Sequence, residues 1–183
     1  AKLIIGGTRK EAFYEPTILT NVTTEMPVFN EETFGPVAAI ITFKNIEEAM
    51  EEMGKGLQIT WCDVQVREQS AWLPGKGQTT IPLKFTYSCE GPQHVELLQG
   101  ASGTIWDGSD APGVHHMGIW VDDVKETTER LMKEGWSLEI AQVSPEEGYG
   151  AFSYVRSPTG FLLEPVTRAA LPAFERWWAG GSL

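Results

Sequence analysis

The sequence predicts an α+β fold made of two βαβββ modules, and three observations carry that expectation. Residues 113–124, reading GVHHMGIWVDDV, alternate along a strand and then run into an acidic helix start. Residues 37–48 repeat this grammar, because the β-rich run VAAIITF leads to Asn45 as a helix cap with Glu48 three residues on. After each such unit come three further β-forming segments separated by turn signals.

Taken in order, residues 1–36 stand apart from the repeat. Leu3-Ile4-Ile5 ends in Gly6-Gly7, Tyr14 to Leu19 can form a short strand, and Pro27, Gly35 and Pro36 punctuate the rest. Such a segment is too small to bury a core of its own, so it reads as an extension to a domain covering 37–183. The first module is expected over about 37–100. It has a strand at 37–43, then a helix whose stripe is Ile46, Ala49, Met50 and Met53. Strand material over 59–72, a Pro74-Gly75-Lys76-Gly77 turn, and strands at 81–89 and 94–98 complete it. Residues 104–113, rich in Gly, Asp and Pro, form a linker. The second module, about 113–168, has a strand at 114–121 and a helix at 123–134 capped by Asp123 with Glu126, its stripe being Val124, Thr128, Leu131 and Met132. Strands follow near 136–143, 150–156 and 161–166, with turns at Pro145, Gly148 and Pro158-Thr159-Gly160. A final helix over about 171–179, opened by Pro172, offers Phe174, Trp177 and Trp178 to the sheet.

Composition narrows the function. A formal charge of −11 with scattered Lys and Arg argues against nucleic acid as a partner. No run of residues reaches the roughly 20 apolar positions of a membrane span. Two cysteines, Cys62 and Cys89, are too few for a disulfide scaffold, and no signal-peptide pattern is present, which makes a reducing cytoplasm the expected setting.

Alternation places the chemistry. His116, Gly118 and Trp120 share one strand face while His115 and Met117 share the other, so His115 is expected to be structural. Glu96 shares a face with His94 and Leu98, and Glu164 with Leu162 and Val166, so each carboxylate lies on an otherwise apolar face and needs a partner there. Aligning Asn45-Ile46 with Asp123-Val124 sets Ala38 opposite His116.

Two resemblances add to this reading. Gly6-Gly7, Tyr14-Glu15-Pro16-Thr17 and above all Glu31-Glu32-Thr33-Phe34-Gly35-Pro36-Val37 resemble a part of the aldehyde dehydrogenase superfamily, over about residues 1–48. The resemblance implies that Glu32 stood at the nicotinamide-side ribose of a cofactor and Phe34 beside the nicotinamide. That family's nucleotide-binding domain and catalytic cysteine lie earlier in a much longer chain, and neither Cys62 nor Cys89 sits in its cysteine motif, so aldehyde oxidation is not expected.

The repeated module, with His116, Glu96 in Val95-Glu96-Leu97-Leu98 and Glu164 in Phe161-Leu162-Leu163-Glu164-Pro165, resembles the vicinal oxygen chelate superfamily of glyoxalases, bleomycin resistance proteins and dioxygenases. The resemblance implies a cup of paired βαβββ modules, a homodimer, and a divalent metal (Zn, Ni, Mn, Fe or Co) on the cup floor. Its four ligand positions fall here on Ala38, Glu96, His116 and Glu164. Ala38 cannot ligate, so the set is His116, Glu96 and Glu164, with His94 as a possible substitute or water in the fourth place. Glu164 and Glu96 are the expected bases, and Trp120, Trp106 and Phe152 are candidate walls. A metal-dependent lyase, isomerase or epimerase of a small α-oxo or acyl compound is the leading expectation. The alternatives are a metal-free protein that sequesters a small molecule and a recombined chain without activity.

Overall fold

The computed structural model describes residues 1–31, 35, 37–39, 42–108 and 114–183, in two compact units, Ala1–Trp61 and Cys62–Leu183. Glu32 and Phe34 lie outside the described residues.

In the first unit, strands β1 (Lys2–Ile5), β4 (Thr17–Thr20) and β5 (Val37–Ala39) form a three-stranded sheet, while β2 (Arg9–Lys10) and β3 (Phe13–Tyr14) make a separate ribbon. β1 runs antiparallel to β4 and β5 runs parallel to it, with Ala38 opposite Ile18. A short helix, α1 (Pro27–Asn30), precedes β5, and α2 (Ile46–Leu57) follows it. The cap of α2 is the one read from the sequence, with Glu48 N–H donating to Asn45 Oδ1 at 2.8 Å. Ile46 and Ala49 of its stripe are buried. Leu3, Ile4, Ile5 and Phe13 remain exposed, so the apolar residues of β1 do not build a core here.

The second unit carries the larger sheet. Its strands are β6 (Gln65–Leu73), β7 (Gly77–Tyr87), β8 (Glu96–Gly100), β9 (Met117–Val121), β10 (Ser137–Ala141), β11 (Ser153–Arg156) and β12 (Leu162–Thr167). Their spatial order is β8-β7-β6-β10-β11-β12-β9, in which only β9 and β12 pair in parallel. Helix α3 (Val124–Lys133) crosses from β9 to β10, so β9, α3, β10, β11 and β12 form one complete βαβββ module. Its cap is Asp123, whose Oδ1 accepts from Glu126 N–H at 2.9 Å. A 3₁₀ turn (Arg168–Ala170) leads into α4 (Leu171–Trp178).

Among the described residues, three strands of the expected first module, β6, β7 and β8, lie in this sheet. Of the strand expected to open that module, at 37–43, Val37–Ala39 pair with β4 in the small sheet. Strand β6 begins at Gln65 rather than at 59.

Two cores flank the sheet. On one face Val124 and Tyr149 pack with Ala141, and the buried hydroxyls of Thr128 and Ser153 satisfy each other at 2.7 Å. On the other, Ile81, Leu83, Phe85, Trp106 and Tyr154 pack with Trp177 from α4, which is 1% exposed. Ser153 and Tyr154 are neighbours in β11 and serve opposite faces, as strand alternation requires.

Candidate metal centre

Register brings the side chains of Glu96, His116 and Glu164 together. In β7–β8 Tyr87 lies opposite Glu96 and Phe85 opposite Leu98, which puts Glu96 on the face of the larger core. In β12–β9 Glu164 lies opposite Gly118, and His116, just before β9, brings its imidazole to the same carboxylate. His116 Nε2 then stands 3.1 Å from Glu96 Oε2 and 3.2 Å from Glu164 Oε2. All three side chains are largely buried, with exposures of 7% for His116, 15% for Glu96 and 12% for Glu164.

The electrostatics follow from that closeness. Burial alone would lower the His116 pKa, but the hydrogen bonds and charges of Glu164 and Glu96 outweigh it and raise the value to about 9. The imidazolium is therefore the resting form when only a proton links the three. Burial pushes the Glu96 pKa up, opposed by its hydrogen bonds to His116 and to the Tyr87 hydroxyl. Tyr87 and Tyr154, buried beside these carboxylates, are held well above the ordinary phenol range by desolvation.

The donor set suits a divalent cation. Two ligands about 2.1 Å from one ion lie about 3.0 Å apart at a right angle and about 3.4 Å apart in a tetrahedron. The observed 3.1 and 3.2 Å fall between, and all three ligand atoms lie within 4.8 Å of one another. One imidazole with two carboxylates matches Zn²⁺, Mn²⁺, Fe²⁺, Co²⁺ or Ni²⁺ in hardness.

The remaining candidates sort differently. His94 is engaged elsewhere: its ring stacks on Trp178 at 3.7 Å, its Nδ1 lies 2.7 Å from the Ser88 carbonyl, and it is outside the cluster of three. Ala38 lies in β5, in the small sheet. His115 corrects the alternation argument, since its Nδ1 comes within 3.0 Å of His116 Nδ1. Strand geometry begins only at Met117, so residues 115 and 116 need not point to opposite faces. Because burial lowers the His115 pKa, the consistent assignment has His116 Nδ1–H donating to a neutral His115. That bond fixes His116 with Nε2 toward the carboxylates, the arrangement a metal-binding imidazole needs.

Of the walls, Trp106 is buried against Tyr154, Phe152 packs on Tyr154, and Trp120 packs on Phe174 and Trp178 of α4. Sequence reasoning did not single out Tyr154, whose ring lies 4.9 Å from His116, or Tyr87. Alternation could have found both, since Tyr154 lies two residues from Phe152 and Tyr87 two from Phe85.

Comparison with known proteins agrees with both parts of the chain. Residues 1–55 match the family model of the Aldehyde dehydrogenase family. Aminoaldehyde dehydrogenase 2, peroxisomal, of Malus domestica is 30% identical over 151 residues, covering 74% of this chain and 27% of that protein. Succinate semialdehyde dehydrogenase of Escherichia coli (strain K12) is 43% identical over 82 residues, 40% of this chain and 18% of that one. The chain thus spans about a quarter or less of these relatives' length. Among solved structures, Leishmania major Glyoxalase I is 18% identical, with 70% of this chain and 82% of that chain covered and a TM-score of 0.28. A glyoxalase family protein from Bacillus cereus gives 19%, 68%, 87% and 0.27 for the same quantities. Residues 39–154 match the family model of the Glyoxalase/Bleomycin resistance protein/Dioxygenase superfamily, and since that match covers more than half of the sequence, the chain belongs to this superfamily.

Proposed function

We propose that the cluster of His116, Glu96 and Glu164 holds a divalent metal ion and that the protein is a lyase, isomerase or epimerase of a small α-oxo or acyl compound. The observation that carries this reading is the convergence of one imidazole and two carboxylates at 3.1 and 3.2 Å on a buried sheet face. A divalent cation there supplies Lewis acidity toward a vicinal pair of substrate oxygens. His116 orients through its bond to His115 and keeps Nε2 directed at the centre. Glu96, with its pKa raised by burial, is suited to take a proton from a carbon beside a carbonyl and return it, and Glu164 is the second such base. The aromatic rings of Tyr154 and Tyr87, buried beside these carboxylates, exclude water from them and favour proton transfer between protein and substrate.

The same reading takes residues 37–100 and 113–168 as the paired modules, and takes the chain as a homodimer in a reducing cytoplasm. Aldehyde oxidation forms no part of it. A second reading, a metal-free site that sequesters a small molecule, is favoured by the hydrogen-bond distance already existing between His116 Nε2 and both carboxylates.

Metal content of the untagged protein after exposure to a mixed divalent pool separates the two. Elemental mass spectrometry is expected to find close to one metal per chain, lost in Glu96→Ala and in Glu164→Ala. A content below roughly a tenth per chain would overturn the metal-dependent reading and leave the sequestering one.

A further inference from the structure

The sequence has two cysteines, and the fold places them side by side far from each other in the chain. Cys62 opens the second unit, where its N–H donates to the Tyr87 carbonyl at 2.9 Å and its own carbonyl accepts from Thr86 Oγ1 at 2.7 Å. Cys89 lies two residues beyond the end of β7. The turn that carries it is pinned by Ser88 N–H donating to Val95 O, Val95 N–H to Ser88 Oγ, and Ser88 Oγ–H to Glu90 O. Both thiols are thus mounted on hydrogen-bonded backbone, and their sulfurs stand 3.5 Å apart, both free.

From this geometry we infer that Cys62 and Cys89 are a reversible thiol–disulfide site, separate from the metal centre. A disulfide bond is about 2.05 Å long, so closure asks the sulfurs to approach by about 1.5 Å, within reach of small side-chain rotations. With no third cysteine in the sequence, each sulfur has a single intrachain partner.

Exposure divides the roles. Cys62 is buried at 5%, while Cys89 is partly open to solvent, so a peroxide meets Cys89 first. Burial pushes the Cys62 thiol up to about 12, which keeps it protonated and inert toward a distant oxidant but available to a sulfur in contact with it. The Cys89 sulfur attacks one peroxide oxygen as its S–H proton is released, the O–O bond breaks, and the departing hydroxide takes up that proton and leaves as water. Cys62 sulfur then displaces the remaining hydroxyl from Cys89 sulfur, the S–S bond forms, and the proton of Cys62 leaves with that hydroxyl as a second water. Two thiols are oxidised and one hydrogen peroxide is reduced. The reaction also withdraws the Cys62 S–H that lies 3.5 Å from the Trp177 carbonyl in α4.

The test uses the full chain and hydrogen peroxide. Thiols are counted by alkylation after denaturation, with and without prior dithiothreitol. Two alkylatable thiols before oxidation are expected to fall together to none, the protein remaining monomeric on non-reducing denaturing electrophoresis, and dithiothreitol is expected to restore both. In Cys89→Ser the remaining Cys62 is expected to stay alkylatable at the same peroxide dose. Loss of one thiol alone, a covalent dimer, or a loss that dithiothreitol does not reverse would overturn the assignment, as would equally fast consumption of Cys62 in Cys89→Ser.

Discussion

The two halves of the seven-stranded sheet hold their carboxylates differently. Glu164 stands on β12, which is paired with β11 on one side and β9 on the other. Glu96 stands on β8, which is paired with β7 and ends the sheet. Gly100 N–H donates to Trp106 O, so the end of β8 is covered by its own following loop, where β12 is covered by a strand. One half is a complete βαβββ module and the other has three strands, yet both deliver an oxygen to His116 at nearly equal distance. The difference teaches that the position of a strand carboxylate can be set by the group it reaches as well as by the ladder beneath it.

Removing that group is the most drastic way to break the comparison. In His116→Ala two buried carboxylates face each other with no cation between them. Loss of one partner from a buried charge cluster is expected to cost about 3–5 kcal/mol. Chemical denaturation measures this, and metal binding is expected to vanish with it. A variant within about 1 kcal/mol of the parent would mean that the halves do not depend on His116.

Deprotonation breaks the same link more gently. In the metal-free protein the His116 pKa is raised from 6.5 to about 9. A raised folded pKa contributes stability that is fully present below 6.5 and lost as pH rises through about 9, with an upper bound of about 3 kcal/mol. Unfolding free energy followed from pH 6 to pH 10, with the His116 ring titrated by NMR, checks the sign. His116→Gln is expected to flatten this part of the curve. An imidazole titrating near 6.5 would remove the electrostatic account of the cluster.

Much of this was legible in residue spacing. Asn45 with Glu48 and Asp123 with Glu126 announced two helix starts that the structure keeps, because a cap is a local contact between near neighbours. Glu96, His116 and Glu164 could be grouped by alternation and by resemblance, since faces of strands follow from a period of two. The pairing of β5 with β4 was not legible. An apolar run such as 37–43 fits any sheet edge, and its sequence does not say which edge is nearer. His94 shows a related limit: alternation gives a face, while the stack on Trp178 is a contact with a helix about 80 residues away. At His115 alternation does not hold, because His115 and His116 precede Met117, where the ladder begins.

Two glycines sharpen the comparison at smaller scale, one in each half. At Gly100 an added Cβ would lie 2.5 Å from Trp106 Cβ and 2.9 Å from its backbone, so Gly100→Ala forces the covering loop off β8. The expected loss is about 1–3 kcal/mol by urea denaturation. At Gly118 the nearest atom to an added Cβ is Glu164 Oε2 at 3.5 Å, an ordinary contact. Alanine there also loses less chain entropy on folding than glycine, a gain of about 0.5–1 kcal/mol in a strand that offsets crowding of the carboxylate. Gly118→Ala is therefore expected to stay within about 0.5 kcal/mol of the parent and to leave the metal stoichiometry unchanged. A loss as large as that of Gly100→Ala would show that β9 approaches Glu164 as tightly as the loop approaches β8. The two edges of the sheet would then be closed by equally close packing, and the asymmetry between the halves would lie in topology alone.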